Sequence, residues 1–361
     1  MRLVADSGLW STGRQAAQPQ LVALLEVSGA VLSWTVDDST HAAQITFTDL
    51  DRADWLWRIL GEPGHVALAA ALNGRAPDAA VDLKNVDLRP ESLEPLRRLA
   101  LGHWLRRWWP ASDRDGIASL DGALLDAEIA MLTARAEEFF TDDTFDSDVA
   151  ALLRPHTAAL TAHLHGGDPR VSELVRSCAD LADEIGVAFG EADGVALRRD
   201  DYALAAGADG NGRGASAIAT GAASVNWGAV PPGVFDAAEN TVGWHIEPLD
   251  GSAKAVVRVE LSGSGLAAGI AVKLRSGAFG GQGALDADGV ATFPIVDEQN
   301  QPIAESAAWD HDWRSTAVTI GADTEESPQT RERIREFARS RMREPAGDAF
   351  LAEVLAAESD Y

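Results

Sequence analysis

A stretch of small residues near the middle of the chain most limits what this sequence can fold into. Residues 203–224, ALAAGADGNGRGASAIATGAAS, are rich in Gly, Ala and Ser. They show no apolar face at helical or strand spacing, and such small side chains bury too little area to form a core. We therefore predict an interdomain linker at 203–224, with separately folded regions on either side.

The region before the linker begins with strand patterns. The segments AVLSWTV (30–36) and AAQITFTDL (42–50) flank the turn-forming residues DDST (37–40). Two short runs of β-branched and aromatic residues around such a turn predict a hairpin. We assign residues 1–90 to a small mixed α/β N-terminal region.

Helical spacing of apolar residues follows, from Pro90 to about Phe189. Breaks rich in Pro, Gly and Asp divide this stretch into expected helices near 91–109, 118–140, 146–165 and 169–189. We assign residues 91–202 to a helical domain.

Beyond the linker the pattern changes to that of β-strands. Short runs of β-branched residues alternate with Gly and Asp turns: KAVVRVEL, GIAVKLRSG, GVATFPI and STAVTIG. This spacing predicts a small antiparallel β-sandwich at 225–322. Two helical segments, QTRERIREFARSRM and DAFLAEVLAA, then form a C-terminal helical tail at 323–361. The expected fold is a multidomain α+β chain.

One part of the predicted sandwich resembles a known type of module. The segment GALDADGVATFPI (283–295), which follows VVRVEL and AVKLRSG, is similar to the strand–turn–strand of immunoglobulin-like and prealbumin-like β-sandwiches. The resemblance covers roughly residues 253–321, and its Asp-Ala-Asp-Gly turn is common between strands. It implies a domain that binds or spaces rather than one that catalyses.

The charge of the chain excludes several classes of partner. The chain has 56 acidic and 30 basic residues, a formal net charge of −26, and such a surface repels nucleic acids and anionic lipids. It contains no apolar run of about 18 residues, so we expect no membrane span. The N-terminus, with Asp6 in its first apolar stretch, lacks a secretory pattern, which predicts a cytoplasmic location. Abundant Ala, Gly, Arg and Asp with few lysines are typical of a high-GC bacterium.

The segment HWLRRWWP (103–110) concentrates three tryptophans and two arginines. On a helix over 91–109, Trp104 and Trp108 share one broad face with several leucines, which indicates a core helix that ends before Pro110. A nucleic-acid groove would need a basic field around these rings, and the net charge opposes one.

The polar side of the same helix predicts local contacts. We assign its arginines to nearby carboxylates such as Asp113 and Asp115. Tryptophan is enriched at the centres of protein interfaces, so Trp109 is a candidate contact for a protein partner.

Other polar groups that resemble sites have structural explanations. His156 and His163 lie 7 residues apart, about 10 Å along a helix, too far to share one metal ion. The run TDDTFDSDVA (141–150) lacks the glycine and distal glutamate of an EF-hand, so we expect helix capping there. Cys178, the one cysteine, lies on an apolar stripe and is expected in a core. No Walker lysine motif is present, and GADGNGRGAS departs from Gly-x-Gly-x-x-Gly, so we predict no cofactor.

The segment WDHDW (309–313) admits two interpretations. If it is extended, its tryptophans and His311 face one side and close the sandwich core. Asp310 and Asp312 then face the other side and could hold an ion with Asp286 or Asp288. The metal-assisted alternative uses Asp310, His311 and Asp312.

The tail carries the densest positive charge of the chain. On a helix over 329–342, Ile334, Phe337 and Met342 form a narrow apolar stripe flanked by Arg331, Arg335 and Arg339. The stripe docks either on the protein's own helical domain or on an acidic protein partner. The candidate partner-binding residues are these six and Trp109.

The sequence does not decide whether the chain is an enzyme, and it favours a protein that is not. We expect an accessory protein of a high-GC bacterium that binds protein partners of acidic character, with no nucleic acid and no membrane involved. The alternatives are a metal-assisted hydrolase of unfamiliar type and a sandwich that binds carbohydrate or another ligand.

Overall fold

The structure is a computed structural model, and it describes residues 1–13, 18–38, 42–73, 80–137, 139–140, 146–189, 217–263 and 265–359. The chain divides into two compact units. Residues 1–109, 120–191 and 328–361 form the first, here named the α+β unit, and residues 110–119 and 192–327 form the second, the sandwich unit. The predicted multidomain α+β fold is confirmed.

The α+β unit begins with a six-stranded antiparallel sheet. Its strands are β1 (Arg2–Asp6), β2 (Leu9–Ser11), β3 (Val22–Val27), β4 (Ala30–Thr35), β5 (Gln44–Phe47) and β6 (Val81–Asp82), in the order β3-β4-β5-β2-β1-β6. The predicted hairpin is present, because β4 pairs with β5 from Ala30 opposite Phe47 to Ser33 opposite Gln44. Gly29, in the β3–β4 turn, has a φ of 72°, and a Cβ there would lie 2.1 Å from the Asp49 carbonyl oxygen. Only glycine fits that turn.

Six helices complete the N-terminal and central parts of this unit. They are α1 (Trp57–Leu72), α2 (Glu94–Trp108), α3 (Gly122–Glu137), α4 (Asp146–Leu153), α5 (Thr157–His163) and α6 (Pro169–Glu184). The single helix predicted at 146–165 is wrong. Pro155 lies in a 3-10 turn, Arg154–His156, which separates α4 from α5, because proline lacks the amide hydrogen that a continuous helix needs.

The sandwich unit consists of two sheets around one core. Its strands are β7 (Ala219–Ala223), β8 (Val242–Leu249), β9 (Ser252–Val259), β10 (Ala271–Ser276), β11 (Phe279–Ala284), β12 (Val290–Pro294) and β13 (Ala317–Ile320), with the short helix α7 (Glu305–Asp310) before β13. The sheets have the orders β12-β9-β8-β7 and β11-β10-β13. Trp244 and Val257 from the first sheet share a buried core with Val272 and Leu274 from the second.

The Asp-Ala-Asp-Gly turn connects the two sheets rather than forming a hairpin. The Asp286 carboxylate accepts hydrogen bonds from the Asp288 and Val290 amides at 2.9 Å each, which shapes the turn. The strand before the turn, β11, belongs to one sheet, and the strand after it, β12, belongs to the other. The segment that carries the resemblance is therefore a crossover.

Two of the strands consist mostly of small residues, so the pattern of β-branched residues did not predict them. β11 has the sequence FGGQGA, and a Cβ on Gly281 or on Gly283 would lie 2.7 Å from the Phe293 ring. β7 has the sequence ATGAA, and a Cβ on Gly221 would lie 2.3 Å from the Trp244 ring. Glycine inside a strand marks such a close approach. β7 also shortens the predicted linker, whose residues 203–216 lie outside the described ones.

Two segments belong to other units than the sequence predicted. Residues 110–119, placed in the helical domain, pack in the sandwich unit, where Ser112 Oγ donates to the buried Asp236 carboxylate at 2.7 Å. The tail, placed in a region of its own, forms α8 (Pro328–Arg343) and α9 (Leu351–Ser359) of the α+β unit. Within the described ranges, no helix is long and apolar enough to cross a bilayer.

This division changes what limited proteolysis should yield. Cleavage in the predicted linker, between 203 and 216, should leave two fragments that elute together on a native sizing column. They stay together because α8 and α9 remain packed in the α+β unit while joined to the other fragment. The fragments should separate only in guanidinium chloride. Separation under native conditions would contradict the packing of the tail.

Candidate functional site

The buried residues of HWLRRWWP are Trp104 and Leu105 on α2 and Pro110 after it. Trp104 is 3% exposed, and its indole N–H donates to the Gln20 carbonyl at 2.7 Å. Its ring meets Phe337 of α8 edge to face, with ring centroids 5.4 Å apart. Trp108 and Trp109 are half-buried at the end of the helix. The core interpretation of this segment is confirmed for Trp104.

On the polar side of α2, Arg106 finds its carboxylate on α3. Arg106 Nε lies 3.0 Å from Oδ1 of the buried Asp126, and not at Asp113 or Asp115 as predicted. The other oxygen of Asp126 lies 3.0 Å from His156 Nε2. The reason is geometric: α2 and α3 pack side by side, which brings these groups together from distant parts of the sequence.

His103, one turn before Arg106, completes this polar cluster. Burial and the Arg106 guanidinium lower the pKa of His103 below its ordinary value, while Asp126 and Asp148 oppose this shift. The ring lines a cavity of about 330 Å³ together with Leu99, Thr133 and Asp148. At neutral pH the cluster therefore contains a neutral imidazole beside an ion pair.

The histidines and the cysteine that were weighed above as metal ligands or as a reactive thiol make structural contacts. His163 Nε2 pairs with Asp121 at 2.9 Å, and His165 is exposed. Across the residues that the structure describes, no three His, Cys, Asp or Glu side chains are placed to hold a metal ion. Burial raises the pKa of the Cys178 thiol to about 12, so Cys178 is a core residue as predicted. Asp142, Asp143 and the Gly-rich GADGNGRGAS lie outside the described residues.

WDHDW is not extended. Helix α7 ends at Asp310, and a 3-10 turn begins at Trp313, so Trp309 is 48% exposed while Trp313 is 7% exposed. The prediction that both rings face one side is wrong, because a helical turn rotates them apart.

The polar residues of this segment act locally. His311 Nε2 lies 2.9 Å from Oγ of Ser276, which is buried, and its ring packs on Phe279 and Trp313. The Asp312 carboxylate caps the 3-10 turn by accepting from the Arg314 amide at 3.1 Å. Asp310 is exposed. This arrangement does not bring Asp310, His311 and Asp312 together as a ligand set.

The arginine-rich helix α8 docks on its own unit. Ile334 is fully buried, and Arg331 and Arg335 are 7% and 3% exposed. Phe337, Arg339 and Met342 are half-buried. Of the two alternatives for the tail, internal docking is the one observed, and it removes the three buried residues from any partner surface.

Ion pairs within the unit balance the charge of α8. Within α8 itself, Glu332 balances Arg335 and Arg339, at 2.9 and 3.3 Å. Arg333 reaches Asp37 on the sheet side of the unit, at 2.7 Å. The positive charge of the tail is therefore largely balanced inside the protein.

A cavity that the sequence analysis missed lies elsewhere in the α+β unit. It has a volume of about 730 Å³, and we name it the arginine pocket after Arg58 at the start of α1, Arg98 on α2 and Arg135 at the end of α3. Leu96, Leu132 and Phe139 form its apolar wall. Glu94 and Asp348 contribute carboxylates to the same lining.

The three guanidinium groups differ in their partners. Arg98 pairs with Glu128 and donates to the Ala349 carbonyl. Arg58 and Arg135 have no hydrogen-bond or ion-pair partner among the described residues, and the Nε atoms of both Arg58 and Arg98 are buried without an acceptor there. A buried donor without an acceptor is rare in proteins and costs free energy.

Aromatic rings hold Arg58 in place. Its Cζ lies 5.0 Å from the centroid of Trp57 and 5.8 Å from that of Phe139. Trp57 is 49% exposed, an unusual placement for so large an apolar ring. The pocket thus contains an oriented cation, Arg58, and the exposed Trp57 contacts that cation from outside the pocket lining. Tryptophan and arginine are both enriched at the centres of protein interfaces.

Comparison with protein-family models, with curated proteins and with solved structures found no match to this chain. The support for the candidate site therefore comes from its geometry alone. Its arginines lie on three different helices, so no local motif in the sequence could have revealed it.

Substitutions in WDHDW should show by their effect on stability which of its residues belong to the core. Trp313→Ala should lower the free energy of unfolding by about 3–5 kcal/mol, because it removes a buried ring whose N–H donates to the Ala308 carbonyl. Asp310→Asn and Asp312→Asn should change it by less than about 0.5 kcal/mol. Denaturant unfolding measures both, and a large loss in either Asn variant would contradict the local roles given to these aspartates.

His103 should make the protein sensitive to acid. Its pKa is lowered in the folded state, so below about pH 6.5 the unfolded chain binds a proton that the native state does not. Stability is then lost as pH falls, by at most about 1.4 kcal/mol per pH unit. His103→Gln should reduce the difference in melting temperature between pH 7 and pH 5, whereas His165→Gln, at an exposed position, should not. An equal effect of both variants would contradict this assignment.

Proposed function

We propose that this protein is a non-enzymatic accessory protein that binds an acidic group of a protein partner in the arginine pocket. One observation carries the proposal. Arg58 and Arg135 face a cavity of about 730 Å³ without an anionic partner among the described residues. The chain has 56 acidic and 30 basic residues, yet neither of these two guanidinium groups has a carboxylate partner among the residues that the structure describes.

The surroundings of the pocket support a protein partner. The exposed Trp57 contacts Arg58, which lines the pocket, and tryptophan and arginine supply much of the binding energy in protein interfaces. The net charge of −26 disfavours polyanions such as nucleic acids or anionic membranes. A partner that inserts a single carboxylate into the pocket is attracted by the two arginines. Because it carries only one negative charge there, the net negative charge of the chain repels it far less than it repels a polyanion.

The proposal also includes a bacterial source and a cytoplasmic location for this protein. The residue usage, with Lys84, Lys254 and Lys273 as the only lysines, is typical of a high-GC bacterium. A cytoplasmic location belongs to the same proposal. The metal-assisted hydrolase is not proposed, because His311 pairs with Ser276 and Asp312 caps a turn.

Site-specific crosslinking tests the proposal. Benzoylphenylalanine in place of Trp57, in cells that naturally make this chain, should form an adduct with a discrete protein. The double variant Arg58→Gln, Arg135→Gln should reduce that adduct about tenfold or more, because each charged hydrogen bond contributes about 1.5–3 kcal/mol.

The matched control places the same crosslinker at Trp309, which is similarly exposed but lies in the sandwich unit. It should not yield the same adduct. An adduct that persists in the double variant, or that forms equally from position 309, would show that the arginine pocket does not bind the partner.

A further inference from the structure

We infer that the group bound in the arginine pocket is the C-terminal carboxylate of a peptide whose last side chain is apolar. This inference rests on the proposed function and names the chemistry of its ligand. It follows from the charge, the apolar wall and the hydrogen-bond acceptors of the pocket.

The charge balance of the pocket calls for an anion of low charge. Arg98 is compensated by Glu128, and Asp348 is held by Arg97 at 3.2 Å and by Arg341 at 3.0 Å. Arg58 and Arg135 remain without a counter-ion among the described residues. A carboxylate fits such groups well, because its two oxygens match the paired N–H groups of a guanidinium.

The apolar wall argues against a small inorganic anion. Leu96, Leu132 and Phe139 line the same cavity as the arginines. A phosphate ion would keep these surfaces wet, whereas an aliphatic side chain next to the carboxylate would cover them. The volume of about 730 Å³ lies within the range of small-molecule sites and admits one or two residues of a peptide.

Glu94 distinguishes a peptide from a free fatty acid. Its carboxylate lines the pocket, is 64% exposed and lies 3.9 Å from its nearest cation, Arg97. It is therefore available to accept a hydrogen bond from a peptide N–H. A fatty acid has no such donor, and a doubly charged phosphate would be repelled.

Arg58 is oriented before the ligand arrives. The ring centroids of Trp57 and Phe139 both lie within 5.8 Å of the guanidinium carbon, and these contacts restrict its rotation. Binding then costs less side-chain entropy than at a freely rotating arginine.

Titration calorimetry on the full chain with synthetic probes tests the inference. The probes are acetyl-Ala-Ala-Ala-Leu with a free C-terminus, the same peptide as its C-terminal amide, acetyl-Ala-Ala-Ala-Gly acid, acetyl-Ala-Ala-Ala-Asp amide, decanoate and inorganic phosphate. We expect the Leu acid to bind about tenfold or more tightly than its amide, the Gly acid, the Asp amide, decanoate or phosphate.

Variants place the binding in the pocket. Arg58→Gln and Arg135→Gln should each weaken binding of the Leu acid about tenfold or more. Arg343→Gln, an equal loss of charge at an exposed position outside the pocket lining, should leave it within about twofold. Circular dichroism melting of each variant shows that it is folded.

Each remaining outcome overturns the inference in a distinguishable way. Equal binding of the Asp amide would assign the pocket to acidic side chains, and tighter binding of decanoate or phosphate would assign it to a free acid or anion. If no probe binds below about 1 mM while the Trp57 adduct still depends on the arginines, the ligand class is wrong and the proposed function stands. If the adduct is also independent of Arg58 and Arg135, both fail.

Discussion

The α+β unit depends on a buried ion pair between its last two helices. Arg341 of α8 donates to both oxygens of Glu353 on α9, at 2.5 and 2.8 Å, and Glu353 is completely buried. Glu353 also accepts from the Phe350 amide at 2.9 Å. Loss of one partner would leave the other charge buried, which costs about 3–5 kcal/mol in such pairs. The pair therefore holds the turn between α8 and α9 in one conformation.

That turn carries the C-terminal segment into the core and to the candidate site. Phe350 is fully buried against Gly102 of α2, where a Cβ would lie 2.8 Å from its ring. Asp348, two residues earlier, lines the arginine pocket. On α3, Glu128 accepts from the Leu351 amide and pairs with Arg98, and burial raises its pKa. The same contacts that close the fold thus neutralise Arg98, whereas Arg58 and Arg135 have no counter-ion among the described residues.

Prediction from sequence succeeded where periodicity and burial coincide. The leucines and Trp104 of α2 repeat at helical spacing, and the β-branched runs of β9, β10 and β12 alternate between core and surface. It failed at β11 and β7, since their glycines are required by the rings of Phe293 and Trp244, which come from other strands. It also failed at WDHDW, because five residues are too few for their period to distinguish a strand from a helical turn.

The sequence by itself determined the α+β composition, the central change from helix to strand, the core role of Trp104 and Cys178, and the negative charge. These follow from local residue spacing and from sums over the chain, which need no knowledge of distant contacts. Only the tertiary structure decided that the tail completes the first unit and that Ile334 and Arg335 are internal. It alone brought Arg58, Arg98 and Arg135 from three helices to one cavity. The physical reason is that a counter-ion is a neighbour in space, and the sequence does not show which arginines have one.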